Sequence, residues 1–129
     1  MIAVARGAEA YRRTEALSRS PVELVVMLYD GALRFIAEAQ AAIARGDIRG
    51  RVQAVSRALA IVAELQNTLQ IKEGGAVAQE LDRLYGYVMT RLLDVTLKRD
   101  ARALDEVHRL LSPVRDAWAQ TAAAGAAPR

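Results

Sequence analysis

The run Ser20-Pro21-Val22-Glu23-Leu24-Val25-Val26-Met27-Leu28-Tyr29-Asp30-Gly31-Ala32-Leu33-Arg34-Phe35-Ile36 decides the fold class of this chain. Ser20 followed by Pro21 is a helix start. The serine oxygen can accept from an orphaned backbone N–H, and proline at the first helical position loses an N–H that had no partner. Glu23, three residues on, completes a capping box and sets a negative charge at the positive end of the helix dipole. Behind the cap, Val25, Leu28, Tyr29, Ala32, Ile36, Ala39 and Ile43 recur at steps of three and four, which is one apolar stripe of an α-helix. Gly46 is the natural stop, so the spacing predicts a helix over about Pro21–Arg45.

Two residues in the run are not explained by helix formation. Gly31 in mid-helix costs roughly 1 kcal/mol against alanine, and Asp30 competes for backbone hydrogen bonds. One reading is a tolerated glycine beside a solvated aspartate. The other is that Gly31 lets a second backbone approach closely and Asp30 accepts hydrogen bonds from it.

Outward from this helix the pattern repeats. Asp47 to Gly50 read as a connection, and a second helix is expected over about Arg51–Lys72. It carries Val52, Val55, Leu59, Val62, Gln66 and Leu69, beside a row of Ala54, Ala58, Ile61, Leu65 and Thr68. Gly74-Gly75 reads as a turn. A third helix, about Ala76–Lys98, bears Val77, Leu81, Leu84, Tyr85, Val88, Leu92 and Val95, with Met89, Leu93 and Leu97 widening the arc. Asp100 can cap a fourth, about Ala101–Gln120, lined by Leu104, Val107, Leu111, Val114 and Trp118, with Pro113 expected to kink it. Four helices with short connections favour an all-α, antiparallel up-down four-helix bundle. Residues 1–19 form a separate N-terminal segment in which Tyr11 and Leu17 could anchor a fold-back over the bundle of residues 20–120. Residues 121–129, rich in Ala, Gly and Pro, are expected to be a disordered tail.

Composition agrees. In 129 residues, 53% are apolar but only 5% aromatic, which suits close-packed helices better than a β-sandwich. With no cysteine there is no disulfide scaffold, thiol nucleophile or thiolate metal site. Met1–Arg6 lack the apolar core of a secretory leader, and no run approaches the roughly 18 apolar residues that span a bilayer. Direct membrane insertion is therefore not expected.

Catalytic chemistry leaves a constellation of nucleophile, base or metal ligands, and none is legible. His108 is the only histidine, and Asp105-x-x-His108 has no partner motif of the kind a di-iron bundle needs. Asp105–Arg109 and Asp94–Lys98 read as helix-face ion pairs. Gly74-Gly75 lacks the preceding strand and the Gly-Lys-Ser/Thr ending of a phosphate loop. No enzyme activity, metal or cofactor is expected. The formal charge of +3 and a pI of about 9.7 leave a small basic helical nucleic-acid-binding protein as the alternative reading. Its basic clusters, Arg12-Arg13, Arg45-Arg49-Arg51 and Lys98-Arg99-Arg102, are interrupted and come with no helix-turn-helix or zinc pattern. The wide apolar arcs of the second and third helices point elsewhere. They face one thick core, or they form a groove for a partner's amphipathic segment, with Met27 and Met89 as adaptable contacts.

The order Tyr11, Ser20-Pro21-x-Glu23-Leu24 and Met27-Leu28-Tyr29-Asp30-Gly31-Ala32 resembles the N-terminal signature of the FliS family of flagellin-specific export chaperones. The resemblance continues through Gly46-Asp47, Glu64-Leu65, Leu84-Tyr85-Gly86-Tyr87, Arg91-Leu92, Lys98-Arg99-Asp100 and Val114-Arg115-Asp116-Ala117-Trp118, covering about residues 11–118. It implies a cytoplasmic helical-bundle chaperone that binds the disordered C-terminal segment of flagellin. Binding would block premature polymerisation and keep the subunit competent for type III export. An export-gate component is a further implied partner. The N-terminal segment would lie over part of the binding surface as a latch. Tyr11, Met27, Tyr29, Asp30, Gly31, Leu81, Tyr85, Tyr87 and Met89 are the residues expected to contact flagellin or that latch. Gly86 stands where the family leads one to expect an acidic residue.

Overall fold

The computed structural model describes residues 20–69, 71–98 and 100–126, and these form four helices. The first, α1, spans Pro21–Ala44. Its cap is the expected one: the Glu23 N–H donates to Ser20 Oγ at 3.1 Å, and Pro21 opens the first turn. The helix stops at Arg45, and Gly46 takes φ +73, the left-handed value that closes a helix and that a side chain disfavours.

The second helix, α2, spans Ile48–Asn67, starting three residues earlier than the sequence suggested. Asp47 is the reason. Its Oδ1 accepts from the Gly50 N–H at 2.9 Å, so the connection is reduced to Arg45-Gly46-Asp47 and Ile48 is already helical. The same helix ends short of the expected Lys72, because Thr68 Oγ1 donates to the Leu65 carbonyl at 2.7 Å and takes one of the terminal acceptors. The third helix, α3, spans Ile71–Lys98 with a single break at Gly75, whose φ 59 and ψ −135 are open only to glycine. The expected glycine turn is therefore a sharp joint inside α3. The fourth helix, α4, spans Arg102–Ala126 and is headed by Asp100, whose Oδ1 accepts from the Arg102 N–H. It passes through Pro113 and continues beyond Gln120, so residues 121–126 are helical and not a disordered tail. Alanine is the strongest helix former, and the run after Trp118 is mostly alanine.

The helices pack in chain order, α1 on α2, α2 on α3, α3 on α4, and α4 back on α1. Ala32, Ala39 and Ala42 of α1 and Ala54 and Ala58 of α2 are buried, which lets these two backbones come close; theirs is the most extensive interface. Tyr29, Ile36, Val55, Val62, Leu65, Tyr85, Val88, Leu92, Val95, Leu104, Val107 and Leu111 fill the centre. Each such side chain contributes about 1.5–3 kcal/mol relative to exposure. Polar stitches on the flanks set an antiparallel register: Gln40 to Asp105 at 2.7 Å, Gln66 to Asp82 at 3.0 Å, and Arg91 to Glu106 at 2.9 Å. Asp105 thus serves Gln40 and not the expected Arg109, while Lys98 does sit 3.6 Å from Asp94. Four residues of the expected apolar stripes, Val52, Val77, Leu93 and Leu97, are exposed. They lie towards helix ends or flanks, where the bundle has no further layer to cover them.

Candidate functional site

The antiparallel order brings the start of α1, the end of α2, the start of α3 and the end of α4 to one pole. There the bundle does not close. A cavity of about 380 Å³ opens between Val25 of α1, Leu65 and Leu69 of α2 and its following turn, Val77, Ala78, Leu81 and Tyr85 of α3, and Trp118 of α4. A second cavity of about 240 Å³ adjoins it and is lined by Val77, Leu81, Val114, Ala117, Trp118 and Thr121. Val77, Leu81 and Trp118 belong to both, so the two form one groove across a shared ridge. The Gly75 joint explains the opening. Before it, α3 runs in another direction, and Val77 just after it is left 65% exposed. The polar side chains among the lining residues are Thr68, Thr121, the Tyr85 phenol and the Trp118 indole.

Beneath the groove two tyrosine hydroxyls partner each other. Tyr29 and Tyr85 share a hydrogen bond of 2.6 Å between their hydroxyls, with ring centroids 6.2 Å apart and planes tilted by 57°. Burial pushes both phenols above their ordinary range. For Tyr29 the hydroxyl of Tyr85 and the Trp118 indole pull part of that shift back; the indole Nε1 is buried but outside hydrogen-bonding geometry. A buried pair of neutral hydroxyls holds the Tyr85 ring in one position as a groove wall.

The sequence-predicted site residues divide by location. Leu81 and Tyr85 line the groove, and Tyr29 supports it from below with no exposed surface of its own. Asp30 and Gly31 face other elements. Asp30 takes a forked pair of contacts from the Arg115 guanidinium of α4, at 2.7 and 3.3 Å, and not from a neighbouring backbone. A Cβ at Gly31 would meet Ile61 Cδ1 of α2 at 3.1 Å, so a side chain, not a backbone, makes the close approach. Tyr87 lies on the α4 flank, 47% exposed, and donates to Glu106 at 2.6 Å. Met89 is partly buried against the core, and Met27 is half-exposed on α1. Tyr11 lies outside the described residues. Val25, Leu65, Leu69, Val77 and Trp118 stand in the apolar stripes of the sequence without being marked as site residues, and Ala78 is not singled out. The signal that marks them is the glycine pair, which ends the core layers just before Val77.

On the α4 flank Arg91 holds three carboxylates, Asp94 at 2.8 Å, Glu106 at 2.9 Å and Asp100 at 3.4 Å. Glu106 is held below the usual carboxylate range by the Tyr87 hydroxyl and the Arg91 guanidinium.

These features define an all-helical binding module: a four-helix bundle that presents a preformed apolar groove at one pole. A family model described as "Flagellar protein FliS" matches residues 4–125, and the chain belongs to this family. It is 36% identical over 121 residues to the flagellar secretion chaperone FliS of Salmonella typhimurium, covering 90% of each chain. It is 39% identical over 109 residues to the protein of the same name from Campylobacter jejuni, covering 84% of this chain and 85% of the relative. The flagellar secretion chaperone FliS of Bacillus subtilis is 32% identical over 111 residues, covering 86% and 82%.

Proposed function

We propose that this chain is a flagellar secretion chaperone that binds the C-terminal segment of flagellin in the groove between α1, α2, α3 and α4. The observation that carries the reading is the groove itself, apolar, preformed and walled by Leu81, Tyr85 and Trp118. Its main cavity has the size of a small-ligand pocket, yet among the described residues that line it none carries a charge to orient a polar ligand. An amphipathic helix laid along it would bury its apolar face, and burial at about 25 cal/mol per Å² would offset the ordering of a segment disordered when free. No covalent step is involved. The chaperone would act in the cytoplasm, before export.

Residues 1–19 join α1 at Ser20, at the groove pole. This attachment supports a latch in which Tyr11 and Leu17 cover the groove until flagellin displaces them. Calorimetric titration with a flagellin C-terminal peptide checks both ideas. The peptide should gain helicity on mixing, with a negative heat-capacity change and a weak salt dependence. Leu81→Asp should abolish binding while circular dichroism shows the bundle intact, and removing residues 1–19 should tighten it. A peptide that stays disordered beside an intact bundle would end the reading. Truncation that unfolds the protein would end the latch alone.

A further inference from the structure

Trp118 is a wall of both lobes of the groove, so a segment that fills the two must cross its ring. On its inner side the ring packs against the core, and its Nε1 is buried there with no hydrogen-bond partner. An indole N–H can only donate, so a bond needs an oxygen close by. The threonine hydroxyls of the lining are committed to their own helices: Thr68 Oγ1 donates to the Leu65 carbonyl and Thr121 Oγ1 to the Ala117 carbonyl.

The acceptor beside it is the Tyr29 hydroxyl. Burial raises the Tyr29 phenol, and the Tyr85 hydroxyl and then the Trp118 indole pull part of that rise back, so the indole stands near this oxygen while making no hydrogen bond to it. Tyr29 is already bonded to Tyr85 at 2.6 Å. Whichever of the two donates, the Tyr29 oxygen keeps a lone pair that can accept. One donor and one acceptor therefore face each other beneath the groove, short of a bond. On its outer side the ring opens on the cavities and has no atoms packed against it there. A segment seated on the ring supplies those contacts, and each is attractive at close range.

We infer that Trp118 is the positioning residue of the groove: when a segment fills it, the indole N–H closes onto the Tyr29 oxygen and completes a chain of hydrogen bonds from Trp118 through Tyr29 to Tyr85. That chain ties α4 to α1 and α1 to α3, so the occupied groove is held from beneath. Tyr29, fully buried and out of reach of any ligand, then contributes to affinity through Trp118. The inference rests on the groove proposed above as the binding site, and it needs only that the groove be filled.

Trp118 is the chain's only tryptophan, so the isotope-labelled full chain gives a single indole N–H resonance in nuclear magnetic resonance. The groove is filled in two separate titrations, with the flagellin C-terminal peptide and with the apolar dye anilinonaphthalene sulfonate, whose seat in the groove is identified by its loss in Leu81→Asp. At saturation with either, the resonance should move downfield and exchange more slowly with solvent, and Tyr29→Phe should abolish both changes. Trp118→Phe and Tyr29→Phe should each weaken the peptide about threefold to tenfold, and the double variant should be no weaker than the weaker single. Ring packing alone would make the two losses multiply. Multiplying losses, a resonance already downfield and protected in the free chain, or equal movement in Tyr29→Phe would overturn the inference and leave the flagellin reading standing; the last would assign the N–H to an oxygen of the occupant. A peptide that fails to bind while the dye produces the Tyr29-dependent shift would end the flagellin reading and sustain the inference. If neither seats in the groove, both fall.

Discussion

At the scale of single residues, the Tyr29-Asp30-Gly31 run resolves into three contacts with three different helices. Tyr29 bonds Tyr85 of α3, Asp30 pairs with Arg115 of α4, and Gly31 faces Ile61 of α2. The sequence marked Asp30 and Gly31 as unexplained by helix formation and Tyr29 as part of the apolar stripe, and it could not say that each serves a different interface. The tyrosine pair makes a non-additive prediction. Tyr29→Phe or Tyr85→Phe alone leaves a buried hydroxyl without its partner and should cost about 1–3 kcal/mol, while the double variant should be closer to wild type than the sum of the singles. Urea unfolding of the four proteins measures the coupling; strict additivity would mean that the hydroxyls do not depend on each other. Gly31 decides between helix propensity and space. Gly31→Ala gains up to roughly 1 kcal/mol of propensity against a contact that the mobile end of Ile61 can relieve, so it should be near neutral. Gly31→Leu has no room and should cost about 1–3 kcal/mol.

At the scale of the elements, glycines and caps divide the chain. Gly86 lies inside α3 with nothing within 4 Å of where a Cβ would stand. Gly86→Ala should therefore stabilise the protein by roughly 1 kcal/mol, read as a higher melting temperature. Two capped or bridged carboxylates make an acid-dependence prediction. Asp47 is held below its usual range first by the Gly50 N–H and then by Arg45, and Glu106 by Tyr87 and Arg91. A depressed folded-state pKa contributes stability that is present above the ordinary values of 3.8 and 4.5 and is lost as pH falls through the folded value. The melting temperature should decline on acidification through that window, and Asp47→Asn with Glu106→Gln should flatten the decline. An unchanged acid limb in the double variant would show that other groups set it.

At the scale of the whole molecule, a capped first helix, three further apolar stripes and two glycine breaks were enough to read four helices and their order, because a 3.6-residue period and its end signals are local properties of the chain. Boundaries moved where a side chain competed for backbone groups, as Asp47 and Thr68 do. The groove was legible only in part. Leu81 and Tyr85 stood out in the sequence, but periodicity marks a residue as apolar and facing inward without saying how far along the bundle the covering layers extend. Val77 and Leu92 sit in the same stripe of α3, yet one is exposed beside the groove and the other fully buried. That difference comes from which helix ends meet at each pole, and it depends on the packing of all four helices together. The sequence by itself determined the four helices, the Ser20 and Asp100 caps and the family to which the chain belongs. Only the tertiary structure decided that Asp30 reaches Arg115, that Tyr29 lies beneath the groove and not within it, and that the bundle stays open at one pole. Contacts between residues far apart in the chain carry no period for a sequence to show.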